Sequence, residues 1–272
     1  MQWPTVVRWA PLTFAVGALM AADQPAWAET VPAPALPQHE FCLATIDATA
    51  VTAAQIKLEA ILKRAQAGQS PLFKIAREQV VSVCIDPHEG LARGFFEPAR
   101  NMIALRDTLS TSEAIVILLH ELRHLDQFSR GHCASIRFDV REEVRFAFMV
   151  EADAMAITAD AVWTLKQRGD HGPWDTFVDL EDYGDIAEAY AAVKAVGGTR
   201  DAALTAAFTQ WFQSDWRRES YDRAACMAYY DQLDQSKKLQ RYELRSDEAL
   251  RAVCTLPDGG TYECALPDNL QH

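Results

Sequence analysis

Three side chains in one short string have the types and spacing for metal chemistry. They are His120, Glu121 and His124 in HELRH. On a helix, residues four apart share a face, so the two imidazoles can meet at one point. A zinc ion accepts two such nitrogens at ~2.0–2.1 Å. Glu121 lies one residue round, beside that face, where its carboxylate can take a proton from a water on the ion. A third protein ligand would complete the set and still leave a position open for that water. This is what separates a catalytic zinc site from a structural one.

The chemistry requires a helix under HELRH. The preceding run Ile115–Leu119 is apolar throughout, and Ser110 with Glu113 forms an S-x-x-E capping box that starts a helix. Gly131 follows a plausible helix end. A second helix is expected over 139–168, closed by Gly169. Its apolar stripe runs through Val144, Ala147, Phe148, Ala154, Met155 and Ala161, with Glu151 in the middle. A carboxylate buried there must be paired, protonated or bound to metal. Arg137, Arg141 and Arg145 are the alternative partners. Asp153 is rotated by about 200° from Glu151, so one regular helix cannot offer both to the same ion. Glu151 is therefore the expected third ligand.

The other elements follow from periodicity and breakers. Residues 48–67 suit an amphipathic helix whose inner face holds Val51, Ala54, Ile56, Leu58, Ile61 and Leu62. Residues 79–85, 93–97 and 101–105 suit strands, the last two joined as a hairpin by Pro98-Ala99-Arg100. The alternation of 101–105 and its nearness to HELRH make it the expected sheet edge for an extended peptide, the alternative being an interior strand. Residues 169–174 are turn-rich, and His171 there is a candidate transition-state donor. Helices are expected over 175–196, 200–213 and 215–240. Their aromatic residues suit a core, and Tyr183 and Tyr221 could serve as oxyanion donors only as any tyrosine could. The string CTLPDGGTYEC suits a hairpin. There is no internal repeat and no phosphate-binding glycine loop.

Residues 1–28 have the order of a signal peptide. Arg8 supplies the basic region, Pro11 to Ala22 a short apolar run, and Ala26-Trp27-Ala28 a cleavage site. Their loss removes one basic and one acidic residue, Arg8 and Asp23, so the net charge of −12 is unchanged. An acidic chain without basic clusters excludes nucleic acid as an expected partner. The remaining organisation is a proline-rich linker over 29–47, a domain over 48–240 and a cysteine-bearing tail over 241–272. All 6 cysteines follow the signal segment. An even count in an exported chain points to disulfides, with Cys254–Cys264 the foremost pair. Cys42 with Cys84 and Cys133 with Cys226 could complete the set, although sequence cannot choose among the connectivities. No CxxC pair suggests a cysteine zinc site.

The hairpin, the HELRH helix and the helix carrying VEADA (Val150 to Ala154) together resemble the zincin metallopeptidases with a glutamate third ligand, the gluzincin arrangement. More closely, LLHELRHLDQ followed by EADA is similar to a poorly characterised group of bacterial metallopeptidases. The resemblance covers about residues 90–165. It implies an α+β, zincin-like fold, with a small mixed sheet and hairpin on the HExxH helix and a mainly helical C-terminal part. It also implies zinc held by His120, His124 and Glu151, with Glu121 as catalytic acid/base. Two features depart from known patterns. The E-x-x-x-D pairing of many gluzincins is absent, because Met149 stands four before Asp153 and Met155 four after Glu151. The metzincin pattern fails at Gln127 and Arg130. The expected function is an exported zinc peptidase, periplasmic or secreted, acting on a peptide or protein and not inserted in a membrane after signal cleavage. The alternative is a non-catalytic exported zincin-like module that binds a protein partner.

Overall fold

The structure is a computed structural model that describes residues 40–87 and 93–270. The signal segment and most of the proline-rich linker lie outside the described residues. Four strands form one sheet: β1 (Cys42–Leu43), β2 (Ser82–Asp86), β3 (Gly94–Glu97) and β4 (Met102–Arg106), in the order β1-β2-β4-β3. β2 and β4 run parallel, while β1 and β3 flank them antiparallel. The helices are α1 (Ala53–Gln66), α2 (Leu72–Glu78), α3 (Thr111–Ser129), α4 (Val140–Gln167), α5 (Gly172–Val178), α6 (Gly184–Ala195), α7 (Arg200–Trp211), α8 (Asp215–Ser236) and α9 (Asp247–Arg251). A small mixed sheet, with α1 and α2 between its first two strands and a helical C-terminal part after its last, makes this an α+β fold. Among the described residues no helix is long and apolar enough to cross a membrane.

α3 is the hub. Its capping box is complete: Ser110 Oγ accepts from Glu113 N–H and the Glu113 carboxylate accepts from Ser110 N–H. Every residue from Ala114 to Gln127 is buried, so the helix is packed all round, as a central helix must be. It lies against α1, α2, α4 and α5, and against β3 and β4. Alternation along the sheet sends Val83, Ile85, Ile103 and Leu105 into the main core and Cys84, Met102 and Ala104 to the opposite face. The approach of β3 to α3 requires glycine. A Cβ on Gly94 would lie 2.4 Å from Ile117 Cγ2 and 2.9 Å from the Ala104 carbonyl oxygen.

Several expectations change. Residues 101–105 are not a sheet edge, because β4 pairs with β2 on one side and β3 on the other. Chain order hides this, since the parallel β2 partner arrives from before the hairpin. The outer strand next to α3 is β3. In α1 the inner face is Leu58, Ile61, Leu62 and Ala65. Val51 and Ile56 point outward, at 79% and 58% exposed. Thr52 caps this helix, which leaves Val51 ahead of it. The expected helix over 175–196 is two helices. At the corner Gly184 stands so close to Val178 that a Cβ would meet its carbonyl oxygen at 2.1 Å. α2 was not foreseen.

Two disulfides form, Cys42–Cys84 and Cys254–Cys264, while Cys133 and Cys226 are partly buried thiols. The third pairing is absent here: Cys133 follows α3 and Cys226 lies within α8. The 254–264 segment does not hang free. Cys254, Leu256, Tyr262 and Cys264 all enter the main core, as does Val253 just before them. Replacing Cys254 and Cys264 by serine should cost about 3 kcal/mol, the entropy of closing a short loop. Urea unfolding of the double variant checks this, and an unchanged midpoint would contradict it.

Candidate metal centre

The fold brings His120, Glu121, His124 and Glu151 together. Helical spacing on α3 stacks the two imidazoles edge to face, with ring centroids 4.5 Å apart and Nε2 atoms 2.9 Å apart. Glu151 faces them from α4. One of its oxygens is 3.6 Å from His120 Nε2 and the other 3.6 Å from His124 Nε2. All four side chains are buried, at 2–5% exposed. His120, His124 and Glu151 form the one group of potential metal ligands found among the described residues.

Two of the three arginines that could have satisfied Glu151 are engaged elsewhere, and Arg141 is exposed at the start of α4. Arg145 donates to Glu142 at 2.7 Å and Arg137 pairs with Glu243 at 2.8 Å. Glu151 instead accepts from the Tyr221 hydroxyl, which lies 3.2 Å from that of Tyr183. Tyr221 is carried there by α8. That helix is fixed by the buried Arg217, whose guanidinium bonds Asp185 at 2.7 and 2.8 Å. The Glu121 carboxylate accepts the Phe96 N–H of β3, and its Oε2 is buried without a partner among the described residues. His171 is exposed at the head of α5 and is not part of the cluster.

Burial dominates the electrostatics. It pushes His120 down to about 3, and His124 down to about 4 against the pull of Glu151. It pushes Glu121 up to about 8, with help from the Glu151 charge, and raises Glu151 as well. The pocket thus disfavours charge on every group. A divalent cation would reverse that cost for the carboxylates and would use the imidazoles in the neutral form that burial already favours.

Asp153 is turned away from this cluster, as its helical offset requires. It is fully buried and meets Arg123 Nε at 2.6 Å, Gln127 Nε2 at 2.7 Å and the Tyr262 hydroxyl at 2.9 Å. Arg123, also fully buried, bonds Asp126 as well and donates to the carbonyls of Val253 and Thr255 at 2.8 and 2.9 Å. Arg123 of HELRH therefore ties the motif helix to the chain around Cys254. Arg123→Met should cost about 3–5 kcal/mol by stranding buried carboxylates. Chemical denaturation measures it, and a loss below about 1 kcal/mol would contradict the burial.

Sequence reasoning did not single out Gln127, whose oxygen is 2.8 Å from His124 Nδ1. Its position three residues after His124 was the available signal. Tyr221 had no local signal for Glu151, being far along the chain. No curated protein and no solved structure matches this chain. One family model does match, over residues 34–264, and it is described as "Putative metallopeptidase family (DUF6782)". With a match that spans most of its length, and a buried His/His/Glu cluster suited to a metal, the chain belongs to that metallopeptidase family.

Proposed function

We propose that this is an exported zinc-dependent peptidase. His120, His124 and Glu151 hold the ion, and Glu121 is the general acid and base. The observation that carries this is the buried donor set with an unpartnered carboxylate oxygen beside it. One ligand atom from each of the three residues lies within 4.8 Å of the others, close enough for one ion to be held among them. Two imidazoles and one carboxylate also form a catalytic rather than a structural donor set.

Zinc, when bound, supplies a Lewis acid that polarises a carbonyl and lowers the pKa of water. The protein's own part is proton handling. Glu121, steadied by the Phe96 N–H, takes a proton at Oε2 from the attacking water and returns it to the leaving amine. Tyr221 orients the Glu151 carboxylate.

Substrate docking shifts from β4 to β3. Arg106 N–H bonds the Arg93 carbonyl, and alternation along an antiparallel pair then turns the Gly94 backbone groups and the Phe96 carbonyl away from β4, while the Phe96 N–H on that side is already given to Glu121. An extended peptide added there lies beside Glu121. The two disulfides support export, because such bonds persist in oxidising compartments. Zinc analysis together with hydrolysis of an unfolded protein substrate tests the proposal. Zinc-dependent cleavage supports it, and a zinc-loaded protein that cleaves nothing would favour a partner-binding module instead.

A further inference from the structure

A chain of buried hydrogen bonds runs from His124 away from the candidate ion to the C-terminal disulfide segment. Every polar group along it can be accounted for. Gln127 Nε2 lies 2.9 Å from the Val150 carbonyl oxygen and 2.7 Å from Asp153 Oδ2. Both are acceptors, so the amide nitrogen must face them, because an oxygen there would meet two acceptors. That leaves Oε1 toward His124 Nδ1 at 2.8 Å, where it can only accept. His124 must then carry its proton on Nδ1, which frees the Nε2 lone pair on the side of Glu151. Asp153 is held in turn by the Tyr262 hydroxyl and by Arg123. Tyr262 lies between Cys254 and Cys264. Gln127 and Asp153 are at most 1% exposed and Tyr262 is 6% exposed, so water does not substitute for these partners.

We infer that Gln127 is the positioning residue that fixes His124 as the Nδ1–H tautomer for metal ligation, with its amide held in place by Val150 and by Asp153, which Tyr262 of the disulfide-closed segment anchors. The inference rests on the proposed metal site. Two readouts separate its failure from the failure of that site. The first needs no metal: long-range proton–nitrogen NMR of the histidine rings in metal-free wild-type protein. His124 should show a protonated Nδ1 and a bare Nε2. A protonated Nε2 with a bare Nδ1 would overturn the inference whatever the protein binds.

The second readout is zinc affinity by chelator competition. Removing such an outer partner of a ligating histidine costs about 10–100-fold. Gln127→Met should lose that much affinity. Gln127→Glu keeps an acceptor for His124 but sets a second carboxylate against Asp153. It should therefore hold zinc more tightly than the Met variant while unfolding at lower denaturant than wild type. A purely structural glutamine would move affinity and stability together in both variants, and that outcome overturns the inference, as does wild-type affinity in Gln127→Met. Should the Met variant fail to fold, the wild-type NMR measurement still decides. If wild-type protein binds no zinc, the metal site falls and the ring-nitrogen result stands alone on the tautomer.

Discussion

Glu121→Gln should keep a full equivalent of zinc and lose peptide hydrolysis by about 10²–10⁴-fold, the usual contribution of a positioned general acid or base. The amide is nearly the same size and can still occupy the place beside Phe96, so folding should be little changed. It cannot accept a proton, however, and the proposed mechanism needs that at Oε2. The side chain makes no salt bridge among the described residues and its Oε2 has no partner, so a structural role predicts no such loss. Burial and the Glu151 charge already raise the Glu121 carboxyl, so the neutral amide should also be tolerated as well as the acid itself. Steady-state hydrolysis and metal analysis on one preparation check the claim. Hydrolysis within about threefold of wild type would remove Glu121 from the mechanism.

Glu151→Gln should act on the other quantity, lowering zinc affinity by at least about 100-fold. The change removes the only negative charge in the proposed ligand set, and the replacement amide is a poorer ligand for the ion. His120 and His124 remain, so weak binding persists and stoichiometry recovers at high zinc. Asp153→Asn provides the contrast, because that carboxylate serves Arg123, Gln127 and Tyr262. It should chiefly cost stability, as loss of one partner of a buried ion pair does. Isothermal titration paired with urea unfolding separates the two variants. An Asp153 variant that loses zinc more severely than the Glu151 variant, while unfolding normally, would exchange the assignments.

The parts of the site that depend on one helix were legible in the sequence. Ser110 and Glu113 announced where α3 begins, and the spacing of His120 and His124 announced that their imidazoles would meet. The apolar stripe around Glu151 showed that this carboxylate of VEADA would face the two histidines, but not that Asp153 would be buried as well, in a network of its own. The β3–β4 hairpin and the Cys254–Cys264 pair were equally local. What escaped depends on tertiary meeting. The parallel pairing of β2 with β4 is not encoded near either strand, and it makes β3 rather than 101–105 the outer strand beside α3. Tyr221 reaches Glu151 because Arg217 fixes α8 far along the chain. Arg123, Gln127 and Tyr262 are ordinary polar residues until Asp153 gathers them. The thiols of Cys133 and Cys226 show the same limit, since parity of a cysteine count does not set distance.

The most direct test is a crystal structure of zinc-loaded protein with anomalous diffraction measured across the zinc edge. One strong peak is predicted, within about 2.0–2.1 Å of His120 Nε2, His124 Nε2 and a Glu151 carboxylate oxygen. No peak at that position, or a peak held by other side chains with these three left unligated, would contradict the metal centre and the peptidase built on it.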